Sequence, residues 1–253
     1  MVTTYQRLRF NLHRAEQRVR RIVRSGVGVG RPALDGDYSL RPFRETRSIF
    51  VHIPKTGGVS ISRALYGGLG GGHTRITEYE LRYSAADFAD FFKFTVVRNP
   101  WSRLFSAFHF LKAGGFDARD REAAKLLASF DTFEAFVLDG VGDPRVMRLN
   151  HFVPQLEFIT GSDGTIPLDF VGFFETLDRD FDHVRVRLNR ADRLLHHNRT
   201  PGENGDYRLG YTPDMIARVA SAYREDIAVL GYEFDNGSLP EQIRSRDAGL
   251  AGI

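Results

Sequence analysis

Two short segments of this chain hold residue types that bind anions. The first is Pro54-Lys-Thr-Gly-Gly-Val-Ser60. Lys55 supplies a full positive charge, and Thr56 and Ser60 carry hydroxyls that can donate hydrogen bonds. Gly57 and Gly58 let backbone approach a phosphate closely, and Val59 opens the apolar stretch that follows. A glycine turn leading into a helix leaves unpaired N–H groups pointing outward, and the helix dipole adds to their pull on an anion. The alternative is an ordinary Pro/Gly turn with a solvated lysine. The order of residues excludes the Walker A pattern, where lysine follows the glycines and precedes Ser or Thr.

The second segment holds Arg98 and Ser106. Arginine suits bidentate recognition of phosphate. The spacing predicts Ser106 about two helical turns beyond Arg98, where both can share one anion. A strand-end salt bridge is the alternative for Arg98 alone. Two anion-seeking clusters together imply a ligand with two separated phosphate-like groups.

These residues need elements to position them. Ser48-Ile-Phe-Val-His-Ile53 is apolar and β-branched, which predicts a buried strand ahead of the loop. Val59–Tyr66 reads as a helix and Gly67–Gly72 as a flexible glycine-rich stretch. Phe91–Val97 reads as a second strand, placing Arg98 at its carboxyl end, where open α/β sheets bind ligands. Asn99 caps the next helix with Pro100 at its first position. Trp101, Leu104, Phe105, Phe108 and Leu111 form the apolar face of that helix, with Ser102 and Ser106 on another. Further on, the pattern predicts a helix from Asp131 to Leu138, a strand at Phe170–Phe174 and a helix at Leu177–Leu188. Residues 196–210 read as a polar loop, and Thr212 with Pro213 starts one long helix to Leu230. Alternating strands and helices define an α/β protein with a mainly parallel central sheet flanked by helices.

Three parts follow from this pass: residues 1–47, a catalytic domain at 48–236, and a loosely held tail at 237–253. Tyr5, Leu8, Leu12, Ala15, Val19 and Ile22 share one helical face, and arginines occupy the others. That basic amphipathic helix packs on the domain, contacts a second copy as a homodimer, or meets an anionic membrane surface. Gly26, Gly28 and Gly30 lack the strand–turn–helix context of a dinucleotide fingerprint.

The 253 residues contain no cysteine, which removes disulfides, thiolate metal sites and a cysteine nucleophile. The net charge of +3 suits anionic ligands and is too small to argue for nucleic acid. No apolar run is long enough to span a bilayer and no signal-peptide core is visible, so a soluble, cytoplasmic protein is expected.

Phe50-Val-His-Ile-Pro-Lys-Thr-Gly-Gly-Val-Ser-Ile61 resembles the 5′-phosphosulfate loop of carbohydrate sulfotransferases of the heparan sulfate 2-O-type, chondroitin-type and related bacterial enzymes. Phe94-Thr-Val-Val-Arg-Asn-Pro-Trp-Ser-Arg-Leu-Phe-Ser-Ala-Phe108 resembles their 3′-phosphate motif. Tyr223–Phe234 is similar to their closing helix, so the resemblance covers roughly residues 48–234. It implies a P-loop-like fold and the donor 3′-phosphoadenosine-5′-phosphosulfate (PAPS), with no metal. Lys55, Thr56, Gly57, Gly58, Val59 and Ser60 then hold the 5′ side, and Arg98 and Ser106 grip the 3′-phosphate. It also implies a hydroxyl of a carbohydrate or lipid-linked sugar as acceptor. His73 is the choice of general base, following the glycine stretch between the two motifs. The 2-O-type enzymes carry a His-x-His pair there; this chain has His73 alone, in Gly-Gly-His-Thr-Arg. His52 reads as a packed strand residue, while His109, His151 and the carboxylate of Glu78 stand in reserve, and Arg75 is a candidate partner for an anionic acceptor. Arg199, Tyr207 and Arg208 lie where related enzymes close over the nucleotide. The competing readings are a magnesium-dependent phosphotransferase of kinase type and a non-catalytic nucleotide- or glycan-binding relative.

Overall fold

Six consecutive buried residues, Phe92–Val97, make the central strand of a three-stranded parallel sheet of order β1-β2-β3. The computed structural model describes residues 36–194 and 206–250. The helix expected at residues 5–23 and the candidate Arg199 lie outside them.

β1 (Ser48–Val51), β2 (Phe92–Val97) and β3 (Phe170–Phe173) are rich in aromatic and β-branched residues because helices cover the sheet on both its faces. The register sets Phe50 beside Phe94 and Phe94 beside Phe170. Phe50 and Phe94 stack with centroids 4.9 Å apart. Burying each such ring stabilises the sheet by about 2–3 kcal/mol.

Helix α1 (Gly58–Tyr66) follows β1, and α2 (Ile76–Arg82) lies beyond the glycine stretch. That stretch is not flexible packing material. Gly70, Gly71 and Gly72 are buried, and a Cβ on Gly71 would lie 2.2 Å from the Tyr79 hydroxyl and 3.1 Å from the Phe43 ring. Aromatic side chains fill the space that larger residues would need, so the glycines hold this turn close.

α3 (Pro100–Lys112) starts where β2 ends. The Asn99 side-chain oxygen accepts hydrogen bonds from the amides of Trp101 (3.0 Å) and Ser102 (3.3 Å), as expected of a cap. Its amide group donates to Glu233 O at 2.8 Å and Asn236 Oδ1 at 2.7 Å, so one cap also ties down the segment after the last core helices. Trp101, Leu104, Phe108 and Leu111 bury against Phe136, Phe152, Met215 and Val219 in a second apolar cluster, while Phe105 stays partly exposed.

The chain continues through α4 (Ala118–Leu126), then a three-residue turn at Phe133–Ala135 that runs into a π-helical turn at Phe136–Gly140. The helix expected from Asp131 is therefore shorter and begins with Thr132, whose hydroxyl accepts from Ala135 N. α5 (Leu177–Arg187) follows β3. The long helix expected to Leu230 is two: α6 (Pro213–Ala222) and α7 (Arg224–Leu230). They part at Tyr223, whose buried hydroxyl donates to Phe152 O at 2.7 Å. The break turns Asp226 onto the amides of Gln155 (2.7 Å) and Leu156 (3.0 Å).

The region expected as a loosely held tail contains α8 (Leu239–Leu250). Arg246 grips both carboxylate oxygens of buried Asp180, each at 2.8 Å. A bidentate pair with a buried partner fixes a helix in a way that composition alone does not reveal.

Arg103 is 2% exposed and sits where α3 meets both clusters. Its guanidinium donates to Pro54 O (3.0 Å), Val153 O (2.8 Å) and Asn150 O (3.3 Å). Removing it strands buried carbonyls, each costing about 1–3 kcal/mol. Arg103→Met is expected to destabilise the protein by at least about 3 kcal/mol in urea unfolding, and Arg103→Lys by less, since an ammonium reaches fewer of the three oxygens. Near-equal midpoints for wild type and Arg103→Met would show that these bonds do not hold the loop.

Candidate functional site

The loop between β1 and α1 is held from inside by its carbonyl oxygens. Thr56 Oγ1 donates to Ile53 O at 2.9 Å, Arg103 Nε to Pro54 O at 3.0 Å, and Arg98 Nη1 to Lys55 O at 3.1 Å. In a planar trans peptide the N–H points opposite to the C=O. With the carbonyls of Pro54 and Lys55 turned inward, the amides of Lys55 and Thr56 turn outward. Lys55 itself takes a positive φ of 70° and Gly57 one of 82°. A lysine in the left-handed region costs about 1 kcal/mol or more, and the inward bonds supply the compensation.

α1 begins at Gly58, and Gly57 O accepts from Ser60 N (3.1 Å) and Ile61 N (3.3 Å). The amides of Gly58 and Val59 come before any intrahelical acceptor, so they join the outward set. Both glycines are forced by neighbours as well. A Cβ on Gly58 would lie 1.9 Å from the His52 ring, and one on Gly57 would lie 2.8 Å from Leu177 Cδ2. The Thr56 hydroxyl, expected to face the ligand, is committed to Ile53 O. Ser60 is buried at the start of α1.

Arg98 leaves the end of β2 and is 7% exposed. Its Nε donates to Ser102 Oγ at 2.9 Å, one turn short of the Ser106 partner expected from spacing. Its guanidinium lies 4.1 Å from the Phe174 ring centroid, at the end of β3. Gln155 holds its backbone from both sides, accepting from Arg98 N at 2.9 Å and donating to Arg98 O at 2.8 Å. Ser106 is fully buried on α3, and its hydroxyl has no hydrogen-bond partner among the described residues. A buried polar atom left in that state needs a reason.

The Lys55 ammonium sits 4.1 Å above the Phe110 ring. Next to it the fold gathers His52, His73 and His151, with ring centroids 4.6 Å apart for His52–His73 and 6.1 Å for His73–His151. The Phe110 ring also touches His151, centroid to centroid 5.4 Å. Burial pushes His73 down to about 3, helped by His151, Arg103, Arg119 and Lys55. Burial likewise pushes His151 down to about 3, with Lys55 and Arg103 adding to it. His52 is lowered by burial and then by His73. All three are neutral at pH 7. His109 is elsewhere, packed among Phe105, Phe108 and Phe133.

The remaining candidates hold structure. Glu78 Oε1 accepts from Arg75 N at 3.4 Å at the start of α2, and Arg75 pairs with Glu157 at 3.5 Å. The Tyr207 hydroxyl donates to Phe234 O, and Arg208 pairs with Asp206 at 2.6 Å, so both brace the 3₁₀ turn Tyr207–Gly210. Spacing alone overlooked Ser102, although its i+4 relation to Arg98 was visible. It also missed Arg103, Phe110, Phe174 and Gln155, whose roles depend on distant segments.

A parallel three-stranded sheet flanked by helices, with a lysine–glycine turn after β1 and a buried arginine after β2, defines an α/β protein. The model of the sulfotransferase family matches residues 43–233, and the chain belongs to that family. It is thereby a transferase. No curated protein and no solved structure matches the chain. Among the described residues, no helix is long and apolar enough to cross a membrane, and no group of three or more His, Asp or Glu is placed to hold a metal ion.

Two outcomes test this geometry. Gly58→Ala is expected to cost about 1–3 kcal/mol by overpacking against His52. Adding His52→Ala should recover part of it, with a coupling above about 1 kcal/mol in a double-mutant cycle. Additive effects would mean that the ring does not enforce the glycine.

The second concerns pH. His73 and His151 bind protons in the unfolded state near pH 6.5 but in the folded state only near 3. Stability therefore falls as pH drops from about 6.5 toward 3, by up to about 1.4 kcal/mol per pH unit for each. Asp226, raised by burial to about 6, acts in the opposite sense between about pH 4 and 6. His151→Gln should make the slope of stability against pH shallower by about one proton over that window. An unchanged slope would show that His151 is not held neutral.

Proposed function

We propose that the protein transfers a sulfuryl group from 3′-phosphoadenosine-5′-phosphosulfate to a hydroxyl of a carbohydrate or glycolipid acceptor. The observation that carries this reading is the arrangement of two candidate anion-binding groups at the carboxyl ends of β1 and β2. One is the outward amides and Lys55 of the loop; the other is Arg98 with the partnerless hydroxyl of Ser106. A donor with a 5′-phosphosulfate and a 3′-phosphate fits two such sites. The amides of Lys55–Val59 would hold the 5′ side, and Arg98 and Ser106 the 3′-phosphate.

The acceptor oxygen attacks sulfur in line. The new oxygen–sulfur bond forms as the bond from sulfur to the bridging 5′-phosphate oxygen breaks. Positioning and charge stabilisation supply most of the acceleration, as in phosphoryl transfer. Lys55 stabilises charge growing on the leaving oxygen. His73 takes the hydroxyl proton. It is neutral at pH 7 and so ready to accept, and the negative charge of the donor raises its basicity from the depressed value of the free protein. Arg199, Tyr207 and Arg208 are proposed to close the nucleotide side. The reaction needs no metal ion in this reading.

Calorimetric binding of adenosine 3′,5′-bisphosphate, with 5′-AMP and ATP as controls, tests the donor site. The bisphosphate should bind at least about tenfold more tightly than 5′-AMP. Arg98→Ala should weaken it by about 1.5–3 kcal/mol, the worth of hydrogen bonds to a charged group. Ser106→Ala should weaken it by about 1 kcal/mol without lowering the melting temperature, because its hydroxyl has no internal partner to lose. Equal affinity for bisphosphate and 5′-AMP would overturn the reading.

A further inference from the structure

Asp120 stands at the start of α4, with no part in either phosphate site. Its Oδ2 accepts from Phe116 N at 2.8 Å, and its own amide donates to Asp117 Oδ1 at 3.0 Å. The carboxylate is thus held from both ends of a turn. Its Oδ1 lies 3.6 Å from His151 Nε2, and both side chains are largely buried, at 14% and 8% exposed. Behind His151 come the Phe110 ring and the Lys55 ammonium stacked over it. A continuous row therefore runs from the lysine of the anion loop to a fixed carboxylate.

The groups that face His151 are Asp120 from α4, Lys55 from the loop, Arg103 from α3, His52 from the end of β1 and His73 from the glycine turn. Asp120 is the negative one among them. His73 is placed differently: His151, Arg103, Arg119 and Lys55 surround it, and all of them disfavour a proton on it. His73 can take a proton, but its surroundings give the resulting charge nowhere to rest. Its ring plane stands at 78° to that of His151, in an edge-to-face arrangement.

We propose that Asp120 and His151 form the pair on which the acceptor's proton comes to rest after His73 has removed it. This rests on the sulfotransfer reading of the same site. The proton leaves the hydroxyl for His73 as the oxygen–sulfur bond forms, then passes to His151. His73 returns to neutral, and the His151 imidazolium stands against the Asp120 carboxylate as an ion pair of no net charge. Asp120 is a positioning residue that acts through His151.

The 253-residue chain tests this by histidine side-chain NMR at pH 7 and by the slow release of labelled sulfate from the donor with water as acceptor. At pH 7, Asp120→Asn should shift the His151 ring-nitrogen resonances away from the Nε2–H form that a carboxylate 3.6 Å away favours, and leave those of His183, stacked on Phe170, in place. It should slow sulfate release at pH 7 by about tenfold or more without changing bisphosphate affinity. Asp120→Glu should restore part of both. His151 ring-nitrogen resonances equal in wild type and Asp120→Asn, or an equal rate of sulfate release, would overturn the proposal. Failure of the wild type to bind the bisphosphate would instead strike the donor reading, while the resonances would still decide whether Asp120 and His151 act as a pair.

Discussion

Two guanidiniums of one short stretch, Arg98 and Arg103, end on the backbone oxygens of the anion loop. Arg98 takes the Lys55 carbonyl and Arg103 the Pro54 carbonyl. Arg103 is buried with its charge, and its nearest compensation is carbonyl oxygen from three residues rather than a carboxylate. Burial alone would lower its proton affinity, and Tyr223 and Asp226 oppose that. A buried cation is costly unless its donors are satisfied, so the loop, the 150–153 turn and α3 are fixed relative to one another by the same bonds. Turning the carbonyls inward is also what turns the amides outward. The structural bond and the anion site are two sides of the same peptide planes.

The clamp continues away from the loop. Gln155 brackets the backbone of Arg98, and Asp226 receives the amides of Gln155 and Leu156. Glu175, at the end of β3, accepts from Asn99 N at 2.8 Å and from the Tyr232 hydroxyl at 3.0 Å. Every strand end thus meets a polar side chain from a segment far away in sequence. Such networks are stable only when nearly every member is satisfied. The buried Ser106 hydroxyl, one turn beyond Ser102 on α3, has no such partner among the described residues.

The electrostatics of the site are set for an anion. Lys55, Arg98 and Arg103 carry the positive charge, and burial holds His52, His73 and His151 neutral beside them. Neutral imidazoles are bases at neutral pH, whereas free solvated ones would be partly charged. Any anion brought to this group would raise the proton affinity of these imidazoles.

Much of the fold was legible from local pattern. The apolar run before Pro54, the second run before Arg98, the Asn99–Pro100 start and the lysine–glycine order all come from adjacent residues whose preferences need no partner. The turn after β1 was legible for the same reason: it is made of consecutive backbone. What the chain order did not reveal was decided by distance in sequence. Arg103 finds Val153, Phe110 carries Lys55, Asp120 meets His151, and Arg246 fixes α8 on Asp180. The glycine turn reads as flexible until Phe43 and Tyr79 are seen filling it. Tyr223 reads as helix interior until its hydroxyl is seen on Phe152. The sequence by itself determined the sheet strands and the lysine–glycine turn between β1 and α1, because these depend on residues within a few positions. Only the tertiary structure decided which histidine meets a carboxylate and which serine meets the arginine, because burial and pairing are properties of the surroundings and not of the residue.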